Sequence, residues 1–199
     1  EWAPEWTGTK RMGEWLSNIK DWAIRRARYW GTPLPVWTCE RCGSEHCVGS
    51  IEELSEMKTE SSSMPPELHR PYVDEILLRC INDDCEGEMV REPYVMDCWF
   101  DSGCASFAQW HYPFENVDKF EGSFPVDYIC EAVDQTRGWF YSLMAVSTTV
   151  FDSISYRRCL SLGHILDKDG KKMSKSKGNV VNPWDHFNKE GADSIRWYM

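Results

Sequence analysis

Val126-Asp127-Tyr128-Ile129-Cys130 reads as a short buried strand, and the residues after it decide the fold. Segment 134–151 reads as a helix, with Trp139, Phe140, Leu143, Met144 and Ser147 on one face. Cys159-Leu160-Ser161-Leu162-Gly163-His164-Ile165-Leu166 reads as the next strand. Strand, helix and strand at this spacing argue for an α/β fold built on a parallel sheet, where ligands sit at the carboxyl ends of the strands. Downstream comes a lysine-rich loop, and then Asn182-Pro183, a cap followed by a first-turn proline that opens another helix. Residues 192–199 read as the start of one more helix.

Upstream, Trp15, Leu16, Ile19, Trp22 and Ala23 follow helical spacing, and Gly31-Thr32-Pro33-Leu34-Pro35 then forces an extended path. Cysteine pairs bound a second unit between them. Inside it Ser61-Ser62-Ser63-Met64-Pro65-Pro66 reads as a loop or flexible excursion. Pro93-Tyr94-Val95-Met96-Asp97 returns the chain to the α/β body. No internal repeat is visible.

Composition narrows the function classes. A chain of 199 residues with 42% hydrophobic content and 11 tryptophans can bury a real core. Its formal net charge of -10 does not advertise nucleic-acid binding, so contact with RNA must rest on local patches. No apolar run approaches the ~18 residues needed to span a membrane. The nine cysteines are an odd number with four in spaced pairs, which suits reduced thiols, some metal-bound, and a cytoplasmic setting. The chain opens at Glu1-Trp2 and stops inside a helical pattern, so a piece of a longer polypeptide is expected.

Against this acidic background, five of the ten lysines (Lys168, Lys171, Lys172, Lys175 and Lys177) crowd one ten-residue stretch. Asp169-Gly170 makes a turn before its tip and Gly178 gives a second flexible point. A mobile cationic loop on an acidic body suits phosphate handling, while the plain alternative is a solvated charge run. The block Glu131-Ala132-Val133-Asp134-Gln135-Thr136-Arg137-Gly138-Trp139-Phe140 lies at a strand end and helix start. A carboxylate there can accept from a ribose hydroxyl or an ammonium, and Trp139 can wall an aliphatic pocket. An ordinary helix start, with Asp134 as cap and Trp139 as core, is the alternative.

Cys39-Glu40-Arg41-Cys42-Gly43 is a knuckle whose two thiolates fit one edge of a zinc tetrahedron. Cys80 and Cys85, followed by Gly87, would supply the other edge. Cys47 or His46 could replace one of these ligands, and a disulfide or free thiols are the alternatives. Cys98, Cys104, Cys130 and Cys159 read as buried thiols.

Lys172-Met173-Ser174-Lys175-Ser176 matches the second signature of class I aminoacyl-tRNA synthetases at every position. The 134–140 block resembles the Asp-Gln-x-Arg-Gly-Trp-Phe motif of isoleucyl-tRNA synthetases. Segments 21–37 and 93–103 resemble the chain leaving the editing insertion and re-entering the catalytic domain, so the resemblance covers nearly the whole chain. It implies the second half of a Rossmann-type parallel-sheet catalytic domain with an inserted small zinc-binding subdomain. The divisions it implies are 1–38, 39–92 and 93–199.

The implied activity is ATP-dependent activation of isoleucine, with Mg2+ accompanying ATP, followed by transfer to tRNA(Ile). Lys175 would contact the phosphates and Lys172 assist, with Ser174, Ser176 and His164 around ATP. Glu131 and Gln135 would help hold the aminoacyl-adenylate, Asp134 order the site and Trp139 meet the isoleucine side chain. The zinc held by Cys39, Cys42, Cys80 and Cys85 would be structural.

Two departures from the family pattern stand out: Ala132 where glycine is usual, and Arg25-Arg26-Ala27-Arg28 in place of Ser-Arg-x-Arg. The first class I signature, His-Ile-Gly-His, is missing, which leaves half an active site and an expectation that the piece alone is inactive. The remainder of the polypeptide would then be a partner. The alternatives are a valyl enzyme, a stand-alone zinc module for RNA or protein, and another nucleotidyl transferase, which would leave the 134–140 block without a role.

Overall fold

The computed structural model describes residues 1–198. The expected parallel unit is present. Val126–Ala132 and Tyr156–Leu162 pair in parallel, with Val126 opposite Tyr156 and Ala132 opposite Leu162. Trp2–Ala3 adds a third parallel strand on the other side of Tyr156–Leu162, which is therefore central. The connecting helix Trp139–Phe151 buries Phe140 and Leu143 against Ile129, Tyr156 and Cys159. Trp2 closes this core edge-on, with ring centroids 5.7 Å from Phe140 and 6.2 Å from Tyr156. A Cβ at Gly8 would stand 2.4 Å from the Trp2 ring, so only glycine lets the following turn pass this close.

Element ends depart from expectation for local reasons. The second strand, expected over 159–166, runs from Tyr156 to Leu162. Its neighbour curls into a 3₁₀ turn at Val133–Arg137, so no ladder partner exists beyond the Ala132–Leu162 pair. The helix expected over 134–151 is split at Gly138, whose backbone (φ -145°, ψ -117°) belongs to neither half. The buried face includes Phe140, Leu143 and Ser147 as expected, and Ser142 and Val146, whereas Trp139 and Met144 are half-buried.

The first helix lies earlier than its apolar spacing predicts. A wide π-type turn, Thr7–Met12, runs into Gly13–Ser17 and stops at Asn18. The buried contacts are Thr7 and Met12, five apart, a spacing the wider turn brings to one side. Ile19 is left 51% exposed, and Trp22 is drawn away because its indole N–H donates to Asp97 Oδ2 at 2.9 Å.

The cysteine-bounded unit is a four-stranded antiparallel sheet in the order Glu45–Cys47, Val36–Cys39, Glu88–Arg91, Leu78–Arg79. Its own core holds Trp37, Cys39, Leu54, Val73, Ile76, Leu78 and Met89. The Trp37 indole donates to Ile76 O at 2.8 Å. The 61–66 segment is irregular as expected but anchored: Ser62 is buried, and its hydroxyl accepts from Leu77 N at 2.9 Å.

Two carboxylates hold the junction between this unit and the α/β body. Asp74 accepts from Arg70 and Arg91, while Arg91, with no exposed side-chain surface, also reaches the carbonyls of Leu34 and Tyr94 at 3.0 Å each. Asp97 accepts from Trp22 and Trp99 N and pairs with Arg26. Arg25–Arg26 and Val95–Met96, beside these contacts, form a short antiparallel ladder. At the far end Asn182 accepts from Trp184 N at 3.2 Å and Pro183 opens Pro183–Glu190 as expected, with Ala192–Tyr198 after it.

Candidate active site

The two blocks singled out in the sequence leave the sheet side by side. Ala132 and Leu162 are the last paired residues of adjacent parallel strands. The Glu131-to-Trp139 turn departs from one, and Gly163, His164 and the lysine loop depart from the other. Both therefore rise from the carboxyl edge of the sheet, where open α/β sheets bind ligands.

The turn is fixed from below. Thr136, fully buried, donates to Val133 O at 2.8 Å and accepts from Arg11 Nε at 2.8 Å. Gln135 Oε1 accepts from Trp139 N at 2.8 Å, so this side chain caps the helix while leaving its amide N–H groups for other partners. A Cβ at Gly138 would come within 2.5 Å of Gln135 Oε1 and 3.1 Å of the Trp99 ring. Trp139 sends its indole N–H to Ser102 O at 3.0 Å, docking the ring on the helix Cys98–Gly103. Glu131 and Asp134 are exposed. Of the expected acceptor residues, two are thus pinned by the scaffold (Gln135, Trp139) and two present free carboxylates at the rim.

The lysine loop is a short closed hairpin. Leu166 and Lys172 form an antiparallel bridge, and Gly170 (φ +72°) turns the chain between them. Asp167 Oδ1 accepts from Asp169 N at 2.9 Å and Lys171 N at 2.8 Å. Asp167 Oδ2 accepts from Asn179 Nδ2 at 2.6 Å. The Asn179 amide and the Lys171 backbone N–H, aided by Lys177, hold the Asp167 carboxyl below its ordinary range. Asn179 Oδ1 accepts from Ser174 N at 2.9 Å. A 3₁₀ turn, Lys175–Lys177, forms the tip, and Gly178 (φ +66°) ends it. His164 meets this loop directly, with Nε2 3.4 Å from Lys172 Nζ. Ser174 and Ser176 hydroxyls lie 3.2 Å apart. Between the two glycines the segment is thus tied together by side-chain hydrogen bonds to its backbone. Residue spacing did not reveal Asp167 and Asn179 as its anchors. The available signal was an Asp-x-Asp-Gly turn and an asparagine beside a glycine.

Cys39, Cys42, Cys80 and Cys85 bring their sulfurs within 4.8 Å of one another. Two of these contacts cross between the knuckles, Cys39 to Cys85 at 3.8 Å and Cys42 to Cys80 at 3.5 Å. A tetrahedron with Zn–S bonds of about 2.3 Å has edges of about 3.8 Å, so the donor set fits zinc. Gly43 (φ +73°) turns the first knuckle, with its N–H on Cys39 O at 2.9 Å. In the second, Asn82 N points at Cys80 Sγ at 3.4 Å.

The thiols differ sharply. The Ser44 hydroxyl and amide pull Cys42 down to about 6. For Cys80 the pull of the Asn82 amide is outweighed by desolvation and the neighbouring thiols, which push it up to about 12. Cys85 is pushed up in the same way against the pull of Gly87. Four mutually close thiols resist ionising together, and a divalent cation removes that resistance. His46 instead meets Glu53 at 2.8 Å, and Cys47 lies exposed, so neither joins the four-sulfur cluster. Among the other cysteines Cys159 is buried as expected, Cys104 and Cys130 are half-buried, and Cys98 is exposed. No helix among the described residues is long and apolar enough to cross a membrane.

The model of class I tRNA synthetases (I, L, M and V) matches residues 1–199. Over its whole length the chain is 57% identical to the isoleucine–tRNA ligase of Clostridium novyi (strain NT) and 51% identical to that of Thermus thermophilus. It spans 19% of the length of each of these relatives. Among solved structures it is similar to the LeuRS of Agrobacterium radiobacter K84 agnB2 in a ternary complex with tRNA and LeuAMS, with a TM-score of 0.62. That likeness covers 90% of this chain and 24% of the other at 24% identity, and it bears on the fold. With the lysine signature and the acceptor block seated at neighbouring strand ends and whole-length identity above one half, the chain belongs to the class I tRNA synthetase family.

Proposed function

We propose that this chain supplies part of the catalytic region of an isoleucine–tRNA ligase. The isoleucine carboxylate attacks the α-phosphorus of ATP, the bond to the bridging oxygen breaks, and pyrophosphate leaves with its Mg2+. A terminal ribose hydroxyl of tRNA(Ile) then takes the acyl group and AMP departs. Lys175 and Lys172 stabilise charge growing on the phosphates, which is the main help a protein gives such a transfer. Ser174, Ser176 and His164 line the nucleotide side. Glu131, Asp134 and Gln135 hold the aminoacyl-adenylate, and Trp139 meets the isoleucine side chain. The observation that carries this reading is the departure of both blocks from the paired ends Ala132 and Leu162.

In this reading 39–92 is a zinc-binding insertion between a catalytic-domain segment, 1–38, and the second half of a Rossmann-type nucleotide domain, 93–199. Cys39, Cys42, Cys80 and Cys85 hold a structural Zn2+, with four protein ligands and no position left for water. The reaction runs in the cytoplasm. Its partners include the remainder of the same polypeptide, because His-Ile-Gly-His does not occur in this chain.

Amino-acid-dependent pyrophosphate exchange tests the proposal, run on the full-length enzyme and on this chain alone. Exchange from the full-length enzyme alone, with isoleucine preferred over valine and leucine, is the expected result. A valine preference would move the assignment to a valyl enzyme, and no exchange from a folded full-length enzyme would sink it.

A further inference from the structure

Five lysines share the short loop from Lys168 to Lys177, and their mutual repulsion favours an open, disordered chain. What opposes it is compact. Residues 163–181 contain two carboxylates, Asp167 and Asp169, and Asp167 receives three hydrogen bonds from the loop itself. Asn179 closes the other side. Its oxygen takes Ser174 N at 2.9 Å, and its Nδ2 reaches Asp167 Oδ2 at 2.6 Å and Lys172 O at 3.3 Å. Three points of the loop (167, 172 and 174) are thus tied to one amide. None of the residues 163–181 is buried, so no packed core backs these bonds.

We propose that Asn179 and Asp167 are positioning residues for adenylation, a two-residue staple that sets where Lys172 and Lys175 stand relative to the phosphates. The inference rests on the adenylation reading above. Asn179 serves through both ends of its amide at once: the oxygen orients the tip through Ser174, and the nitrogen joins the tip to the hairpin arm. Asn179→Asp keeps the acceptor for Ser174 N but sets two carboxylates against each other. The double variant Asp167→Asn with Asn179→Asp restores one donor and one acceptor across the pair.

The test uses the full-length enzyme in isoleucine-dependent pyrophosphate exchange, with hydrogen exchange at the Ser174 amide as a readout independent of activity. For Asn179→Asp and Asn179→Ala, kcat is expected to fall about 10- to 100-fold, the scale of losing a hydrogen bond to a charged group. The KM for isoleucine should stay within about twofold, and in Asn179→Ala the Ser174 amide should exchange faster. The swapped double variant should recover part of the lost kcat. Lys175→Ala runs alongside. If Lys175→Ala collapses exchange while both Asn179 variants keep kcat, the staple inference is overturned and the adenylation reading stands. If Lys175→Ala leaves exchange unchanged, the adenylation reading itself fails. A kcat loss accompanied by an equal rise in the isoleucine KM, or with no recovery in the double variant, would mark general damage and also overturn the inference.

Discussion

Two segments leave the same sheet edge and are held by opposite means. The 133–151 segment is held by burial: Thr136 and Phe140 have no exposed surface, and Val133, Leu143 and Val146 are nearly as enclosed. From 163 on, no described residue is buried, and the lysine loop is closed by polar bonds made by the half-buried side chains of Asp167 and Asn179. Burial contributes through apolar area and packing, so it resists local displacement strongly. Hydrogen bonds that remain partly open to solvent contribute about 1 kcal/mol each and exchange with water. The contrast sets a wall fixed by packing beside one fixed by a few hydrogen bonds open to water.

The sharpest way to break the contrast is Phe140→Ala. Removing this ring should lower the opening free energy of the 139–151 amides by about 3–5 kcal/mol, as measured by native-state hydrogen exchange. A loss below about 1 kcal/mol would mean that the helix is held by something other than this core. Under the proposed adenylation role, Lys175→Ala in the full-length enzyme should do the reverse, reducing exchange of pyrophosphate about 10²–10³-fold without altering amide protection in the helix. Equal effects on both readouts would erase the distinction between the two walls.

The cysteine cluster allows a third comparison, since its geometry depends on one missing Cβ. A side chain at Gly87 would stand 2.8 Å from Cys39 Sγ and 3.2 Å from Cys85 Sγ. Gly87→Ala is expected to weaken zinc retention about 10-fold or more, read by competition with a chromophoric chelator, the scale seen when a metal site's outer shell is disturbed. Zinc held as tightly as in the unaltered protein would mean that the knuckle relaxes freely. Lys168→Ala, in the solvated turn of the hairpin, should change stability by less than about 0.5 kcal/mol. A larger effect by denaturant unfolding would show that this lysine is tied to the fold.

The junction is expected to respond to acid. Burial raises the Asp97 carboxyl, but the Trp22 indole, Trp99 N–H and Arg26 guanidinium outweigh it and hold the group below its ordinary value. A carboxyl lowered in the folded state contributes stability that is full above its unfolded value, near 3.9, and lost as pH falls through the folded one. Asp97→Asn should therefore flatten the acid limb of the stability curve below about pH 4. An unchanged limb would assign the acid response to other carboxyls, of which Asp74, lowered by Arg70 and Arg91 despite its own burial, is the nearest candidate.

The features read correctly from the chain share one property: a few neighbouring residues suffice to dictate them. Strand, helix and strand over 126–162 follow from apolar periodicity. The Asn182-Pro183 helix start and the two cysteine knuckles follow from local stereochemistry. The lysine signature was legible because order, not environment, carries it. What tertiary structure decided depends on partners far along the chain. Leu162 ends its strand because the neighbour turns away after Ala132. Trp22 leaves its helix because Asp97, 75 residues later, takes its indole. The two knuckles meet because the antiparallel ladder between Val36–Cys39 and Glu88–Arg91 brings their ends of the chain together. The lysine loop is closed because Asn179 meets Asp167 twelve residues back. Spacing along a chain encodes local propensity and metal geometry, whereas hydrogen-bond partners and ladder ends are set by which segments the buried core brings together.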